Sequence, residues 1–287
     1  MWNQQQRTRQ MNRIKLLILI TISLILMVCL HFFSEKNRIY IPSTDTSQPS
    51  NSSLMALNIL AENAAQLLDT VYNLTDDKDR AVIPYVQNLV VNLMPYFRTH
   101  VVSHASSYRA ASTLLMNISE YSYMKKAWKR EAFDHLFDPK FFQVDLVSLR
   151  SWKVIVENRL SNEKPIAFRD LLTRINTVQT GLFISKEQEY EQRAMLIKRF
   201  AFVIYASDRN HANRYSPEIF SCISELIKLP QVPIIHSQMF LFFRVLVIRL
   251  SNRNFMTFWP TVTSELIQVL LQIEQDLLIE LEGDANR

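Results

Sequence analysis

Apolar residues recur every three or four positions along most of the chain after residue 54. The first set comprises Leu54, Leu57, Ala61, Ala64, Leu68 and Val71. Because an α-helix turns once every 3.6 residues, this spacing puts all of them on one helix face. Similar segments continue to about residue 281, separated by polar or proline-bearing stretches. The pattern predicts about nine or ten helices.

Capping residues and prolines predict where several of these helices begin and end. Ser185, with Gln188 three positions later, has the spacing of a capping box. Proline disfavours the α conformation in the residue before it, so the helix around Trp128 is predicted to end near Asp138. Proline also lacks a backbone N–H to donate within a helix, so Pro95 is predicted to kink or end the second helix.

The last two predicted helices differ in how apolar they are. The helix from Ile234 to Leu250 is apolar nearly all round and is predicted to be the most buried. Trp259 and Pro260 are predicted to begin the final helix. Its inward face is predicted to comprise Val262, Leu266, Val269, Ile273 and Leu277.

The short connections between predicted helices favour antiparallel neighbours. We therefore predict an all-α fold of stacked helical hairpins, an α-solenoid segment of the HEAT or armadillo kind, with a closed bundle as the alternative. No fixed-length sequence repeat distinguishes the two arrangements. The chain has only two glycines, Gly181 and Gly283, which argues against sandwiches, barrels and nucleotide-binding βαβ units.

The N-terminus has a different composition from the rest. We predict a basic segment at 1–15, a hydrophobic helix at 16–33, a linker at 34–53, a helical domain at 54–282 and a tail at 283–287. Leu16–Phe33 contains no Asp, Glu, Lys or Arg and follows four basic residues, which is typical of a membrane-spanning signal anchor. A buried core helix or a wrongly joined exon is the alternative.

The net charge of +5 comes entirely from residues 1–40, which contain six basic residues and one glutamate. The remaining residues balance basic against acidic side chains, so the folded part has no surplus charge to attract a polyanion. We predict no nucleic-acid partner.

No catalytic, cofactor or metal site is predicted. Phosphate-binding loops and serine nucleophile elbows need glycines at fixed offsets, which neither glycine of this chain provides. His100 and His104 have the four-residue spacing of a helical metal pair, but no third ligand is evident, which favours a surface or helix-end pair. An enzyme is therefore not expected.

Two sets of basic residues are candidates for binding. Lys125, Lys126, Lys129 and Arg130 surround Trp128 and form a candidate lipid-binding patch, with Trp128 at the membrane interface. The alternative, which the residue types favour, is a solvated face with Trp128 turned into the core. Arg244 and Arg249 lie in the most apolar predicted helix and are candidates for a partner groove, while structural ion pairs are the favoured alternative.

Several long stretches resemble one protein family. The stretches are KKAWKREAFDHLFDPKFF (125–142), FRDLLTRI (168–175), EQRAMLIKRFAFVIYAS (191–207), LPQVPIIHSQMFLFFRVLVIRLS (229–251) and WPTVTSELIQVLLQIEQDL (259–277). In sequence, order and spacing they resemble the C-terminal region of the Dopey family, over roughly Leu67 to Leu281. The resemblance thus covers most of the chain.

The resemblance implies a large, non-enzymatic helical scaffold that acts in vesicular protein transport from the Golgi to endosomes and between the Golgi and the endoplasmic reticulum. It implies a location on the cytosolic face of Golgi, trans-Golgi network and endosome membranes. The implied partners are a large scaffold protein related to Arf exchange factors, a phospholipid flippase, kinesin and the anionic membrane surface. Family members are far longer at both ends than this chain.

The apolar N-terminus and the resemblance predict opposite topologies. Positive charge before Leu16–Phe33 favours a cytosolic N-terminus and would put the helical domain in the lumen. Sequons occur at Asn51, Asn73 and Asn117, about the number expected by chance, and Cys29 and Cys222 cannot make a disulfide framework. We therefore expect the helical domain to face the cytosol.

Overall fold

The computed structural model describes residues 51–75, 78–98, 105–160, 173, 185–228 and 232–285. The chain divides into two compact units between Ser161 and Asn162. Within the described ranges the structure is helical and contains no β-strand, which confirms the all-α prediction.

The first unit contains five described α-helices in two layers. They are α1 (Asn51–Leu74), α2 (Lys78–Arg98), α3 (Ala105–Ser119), α4 (Lys125–Leu136) and α5 (Leu146–Leu160). Short 3₁₀ turns at Ser122–Met124 and Phe141–Gln143 precede α4 and α5. The most extensive contacts join α1 to α3 and α3 to α5, while α2 packs on α4. Alternate helices therefore share a layer, and successive helices cross between layers.

Aromatic side chains fill the centre of this unit. Trp152 of α5 is buried, and its ring meets those of Phe97 and Phe141 edge-on at 5.4 and 5.3 Å between centroids. Its indole N–H donates to the Ser112 hydroxyl at 3.2 Å, and that hydroxyl donates to the backbone carbonyl of Tyr108. The Trp152 indole and the Ser112 hydroxyl are thus both hydrogen-bonded, and the bond between them links α5 to α3.

Asp145 fixes the beginning of α5 and ties it to α3. Its Oδ1 accepts from the backbone N–H of Ser148 at 2.7 Å, and its Oδ2 accepts from the guanidinium of Arg109 at 2.9 Å. Partial burial raises the pKa of Asp145, but the hydrogen bonds from Ser148 and Arg109 lower it more, so its pKa lies below the ordinary 3.8.

Replacing Asp145 by alanine is expected to lower the free energy of unfolding by about 1 kcal/mol, because a helix N-cap is lost. The lowered pKa adds a pH dependence: the contribution is present above pH 3.8 and is lost as the pH falls through the folded pKa. Urea denaturation at neutral and at acidic pH measures both effects. Glu157→Ala, which removes a half-exposed i,i+4 pair with Lys153 on the same helix, is the control and should change the free energy by less than about 0.5 kcal/mol. Equal losses from the two variants would contradict the capping role.

The second unit contains five further described helices. They are α6 (Lys186–Ala206), α7 (Arg209–Arg214), α8 (Ser216–Ile227), α9 (Pro233–Arg249) and α10 (Asn252–Ala285). The α6–α9 contact is its most extensive, and the rings of Phe200 and Phe242 meet there at 4.9 Å. The predicted capping box at the beginning of α6 is confirmed, since Ser185 and Gln188 exchange hydrogen bonds of 3.3 Å each.

Pro95 and Pro260 lie inside helices; the sequence predicts a kink or an end at Pro95 and a helix beginning at Pro260. α2 continues past Pro95 to Arg98, and α10 begins at Asn252, eight residues before Pro260. A proline removes the hydrogen bond to the carbonyl four residues earlier. Val91 and Met256, which carry those carbonyls, are exposed, so water can solvate them. The missed start signal is Ser251, whose hydroxyl accepts from the N–H of Asn254.

Two burial predictions are wrong. Buried residues make up nine of fifteen in α3 but six of seventeen in α9, so α9 is not the most buried helix. Its Ile234, Val247 and Ile248 are exposed, because α6 covers only one side of it. In α10, Val262 is buried as predicted, but Leu266 and Ile273 of the same stripe are about half exposed, at 46% and 49%.

Several predictions lie outside the described residues. These are the hydrophobic helix Leu16–Phe33, the linker up to residue 50, the histidines His100 and His104, and the helix predicted to begin at Pro165. Of the helices that the structure does describe, none combines the length and the hydropathy needed to cross a bilayer.

Candidate functional site

The four basic residues predicted to bind lipid lie in the first two turns of α4. Lys126, Lys129 and Arg130 are exposed and, at about 100° per residue, share one helix face, while Lys125 is half-buried. We call these four residues the α4 basic face. Trp128 is fully buried, so it packs in the core as the alternative interpretation predicted and is not available to a membrane interface.

Acidic residues follow the α4 basic face within one turn. The Arg130 guanidinium lies 3.9 Å from the Asp134 carboxylate, with both side chains mostly exposed. A pair so open to solvent holds Arg130 weakly and leaves its charge accessible to an external anion. The α4 basic face is therefore a small, solvated, positively charged surface, and its lipid binding stays a prediction.

A cavity of about 330 Å³ opens beside the last turn of α4. It is lined by Met94, Arg98, Glu131, Asp134, His135, Phe137 and Asp138. Among these described lining residues there is no serine, threonine or cysteine to act as a nucleophile. His135 is turned into the core: its Nε2 lies 2.9 Å from the Tyr108 hydroxyl and its ring stacks on Phe97 at 5.1 Å.

The hydrogen-bonded pair Tyr108–His135 lies in surroundings that indicate a structural role. Burial raises the pKa of the Tyr108 phenol well above its usual range, so the hydroxyl stays protonated and can serve as a hydrogen-bond donor. Trp152 lies on the other side of the pair, with its ring centroid 5.0 Å from that of His135. Such a pair secures the contact between α3 and α4 and needs no substrate to explain it.

Arg244 and Arg249, the predicted groove residues, are not brought together. They lie five positions apart on α9, which separates their directions by about 140°. Arg244 is exposed. The Arg249 guanidinium donates to the backbone carbonyl of Tyr205 and lies 5.0 Å from the Tyr205 ring centroid. Arg249 thus ties the end of α9 to α6 through a cation–π contact and a carbonyl, not through the ion pair expected from sequence.

The second half of α10 carries more exposed large apolar side chains than any other helix described in the second unit. Six of these side chains are each between 46% and 57% exposed and share one side of the helix: Leu266, Ile267, Leu270, Leu271, Ile273 and Leu278. Ile279, which is 67% exposed, lies about 80° beyond Leu271. We call these six residues the α10 apolar face. Sequence reasoning missed it by assigning one inward stripe. The signal was present, because the six residues span about 160° of the helix, more than the roughly 100° needed to pack against one neighbour.

No cluster of three or more His, Cys, Asp or Glu side chains with the geometry of a metal site occurs among the described residues. Cys222 of α8 is buried, and burial raises the pKa of its thiol to about 12. At neutral pH that thiol stays protonated, which makes it a packing residue rather than a nucleophile.

Comparison with known proteins identifies a related group. A family model described as DOP1 C-terminal matches residues 30–286. The chain is 40% identical over 237 residues to mouse Protein DOP1B and 39% identical over 234 residues to the Protein DOP1 homolog of Drosophila melanogaster. It is 34% identical over 249 residues to Protein pad-1 of Caenorhabditis elegans. No solved structure matches the chain with significance.

The matched regions cover most of this chain but a small part of each relative. They include 83%, 80% and 85% of the chain for the mouse, fly and worm proteins. They span only 10%, 9% and 10% of the lengths of those proteins. The similarity is therefore to one region of a much longer kind of protein.

Proposed function

The chain belongs to the DOP1, or Dopey, family, and from that membership we propose that it serves as a non-enzymatic scaffold region in vesicular protein transport between the Golgi, endosomes and the endoplasmic reticulum. In this proposal its partners are a large scaffold protein related to Arf exchange factors and a phospholipid flippase, with kinesin as a further link. The region acts by presenting helix surfaces for docking.

The packing of the first unit is the observation that carries the proposal. In that unit α1, α3 and α5 form one layer, and α2 and α4 form the other. A two-layer stack of this kind buries the inner helix faces and leaves the outer faces open along its length. This supports a HEAT- or armadillo-like arrangement of helical hairpins, which is an architecture suited to binding other proteins.

Direct binding tests the scaffold proposal. The purified chain, immobilised, should capture the purified Arf-exchange-factor-related partner, and unfolded chain should not. Capture of the flippase in the same assay would extend the proposal to the second partner. Absence of capture of both partners, by this chain and by full-length mouse DOP1B, would overturn the scaffold proposal.

We further propose that the helical domain faces the cytosol, and the structure sharpens the test of that location. Asn117, in one predicted sequon, donates its side-chain amide to the Ala61 carbonyl at 2.6 Å, and a glycan on that nitrogen would break the contact between α3 and α1. Asn73, in another, is exposed, and within the described part of the chain its side chain is hydrogen-bonded to Asp69 of its own helix. In the folded protein Asn73 is thus a better acceptor than Asn117.

We expect the chain made in cells to show no mass shift on treatment with an N-glycosidase. The control is the same chain directed to the lumen by an added cleavable signal peptide, which should be modified at Asn73. Suppose the chain without the added signal peptide shows a mass shift, and Asn73→Gln removes that shift. This result would place the helical domain in the lumen and contradict the proposed location.

A membrane-surface adaptor is the second candidate function, favoured by the exposure of the α4 basic face. Anionic headgroups attract clustered lysine and arginine with about 1 kcal/mol per residue near the surface. The joint reversal Lys126→Glu, Lys129→Glu and Arg130→Glu should therefore weaken binding to vesicles containing phosphatidylinositol 4-phosphate by at least about tenfold in a sedimentation assay. Reversal of Lys186, on α6, and of Lys228, the residue that follows α8, is the control. Unchanged vesicle binding in the triple variant would exclude the α4 basic face as the lipid site.

A further inference from the structure

The α10 apolar face lies on a stretch of helix that extends beyond its described neighbours. In α10, the buried side chains are Phe258, Val262 and Glu265, and every described side chain after them is exposed or half-buried. The helix nevertheless continues for about five more turns to Ala285. The loss of burial therefore follows position along the helix, not the direction in which a side chain points.

The width of the α10 apolar face indicates what shape would cover it. Two helices in contact bury a stripe of roughly 100° on each. The six residues span about 160°, with Ile273 at one edge and Leu271 at the other. A face of this width fits into the groove between two antiparallel helices, where ridges from both sides reach it.

The charge of α10 selects the chemistry of the occupant. No lysine, arginine or histidine occurs between Arg253 and Arg287, whereas Glu274 and Asp276 lie in the same stretch as the α10 apolar face. At about 100° per residue Glu274 lies within the α10 apolar face, between Leu270 and Leu278. An acidic group there is stabilised by a basic side chain opposite it and repelled by an acidic one.

This charge pattern argues against two other occupants. Packing of α10 against α10 of a second copy would bring acidic residues against acidic residues whichever way the two helices ran, because the stretch has no base to pair with them. An anionic membrane surface would repel the same carboxylates. A protein partner with basic residues beside its apolar contact surface would instead attract these carboxylates.

We propose that the α10 apolar face is a docking site for a helical hairpin of another protein that carries lysine or arginine beside its apolar groove. The inference rests on the proposed scaffold function and deepens it, by naming the surface and the chemistry of the partner.

Two synthetic helical hairpins serve as probes. They share one leucine-lined groove, flanked by lysines in the first and by glutamates in the second. Fluorescence anisotropy with the full chain should show the lysine hairpin binding at least about tenfold more tightly than the glutamate hairpin, with the difference shrinking at high salt. Equal affinities, or no binding of either hairpin, would overturn the proposal.

Two variants with matched controls locate the site. Leu270→Glu puts a charge in the middle of the α10 apolar face and should weaken binding of the lysine hairpin by at least about tenfold. Gln268→Glu adds the same charge on the opposite side of α10 and should change it by less than about twofold. Glu274→Lys should reduce the preference for the lysine hairpin about threefold. Asp276 lies about 160° away from Glu274 on the helix, so its control substitution Asp276→Lys should reduce that preference less. Because the replaced side chains are exposed, far-UV circular dichroism should be unchanged in all four.

The remaining outcomes separate the occupants and the two proposals. A dimer in light scattering that Leu270→Glu dissociates would assign the face to a second copy and overturn the proposal. Anionic-vesicle binding that Leu270→Glu abolishes would assign it to a membrane and overturn it too. If Leu270→Glu binds the Arf-exchange-factor-related partner as well as the unmodified chain does, the α10 inference fails while the scaffold function stands. If the unmodified chain binds the lysine hairpin, but neither the chain nor full-length mouse DOP1B captures either proposed partner, the scaffold function fails while the α10 inference stands.

Discussion

Replacing Trp152 by alanine is expected to lower the free energy of unfolding by about 3–5 kcal/mol. The side chain is 1% exposed and lies among Phe97, His135 and Phe141, so its removal leaves a cavity that three aromatic rings border. It also leaves the Ser112 hydroxyl without the indole N–H that it accepts. A loss of this size is a large share of the roughly 5–15 kcal/mol by which a domain is stable.

Urea denaturation followed by far-UV circular dichroism measures the effect of Trp152→Ala. Trp259→Ala is the matched control, because that tryptophan is 46% exposed and its loss should cost less than about 1 kcal/mol. Trp152→Phe keeps most of the volume but not the hydrogen bond and should fall between the two. A loss no larger for Trp152→Ala than for Trp259→Ala would contradict the central position of Trp152.

Phe242→Ala is expected to destabilise the second unit by about 3–5 kcal/mol. The ring is fully buried at the contact between α6 and α9, the most extensive in that unit, and it packs against Phe200. Its removal leaves a cavity between α6 and α9, where the apolar side chains of each helix are buried by the other. The contact between the Phe200 and Phe242 rings is apolar, so the lost packing is not replaced by a hydrogen bond between the two side chains.

Val247→Ala on the same helix is the control for Phe242→Ala. Val247 is 54% exposed, so the substitution should change the free energy of unfolding by less than about 0.5 kcal/mol. Thermal unfolding of both variants beside the unmodified chain distinguishes them, and a Val247→Ala midpoint as low as that of Phe242→Ala would show that the assigned buried side of α9 is wrong.

Both substitutions act on cores that hold the surfaces in place. Trp152 anchors α5 against α3, and the neighbouring His135 anchors α4, which carries the α4 basic face. Phe242 anchors α9, on which α10 begins to pack. Loss of partner or lipid binding in Trp152→Ala or Phe242→Ala would therefore report unfolding, whereas loss in Leu270→Glu or in the α4 reversal would report the surface itself.

The candidate surfaces were predictable to different degrees. The α4 basic face could be found because lysine and arginine at positions 126, 129 and 130 share a helix face by spacing alone. Whether Trp128 lies on the same face could not be predicted, since a tryptophan beside lysines is compatible with either a membrane interface or a protein core. Arg249 was expected in an ion pair, but a guanidinium also binds a carbonyl and an aromatic ring, and only the position of Tyr205 decided between them.

The helical class, the capping box at Ser185 and the end of α4 could be predicted from the sequence, because periodicity and capping are local properties of a few successive residues. The sequence could not determine which side of a helix is covered, because that depends on elements distant in the chain. Thus Val262 and Ile273 lie on nearly the same side of α10, yet one is buried and the other is half exposed. Periodicity gives the direction of a side chain, but whether a neighbour is present in that direction depends on how distant helices pack.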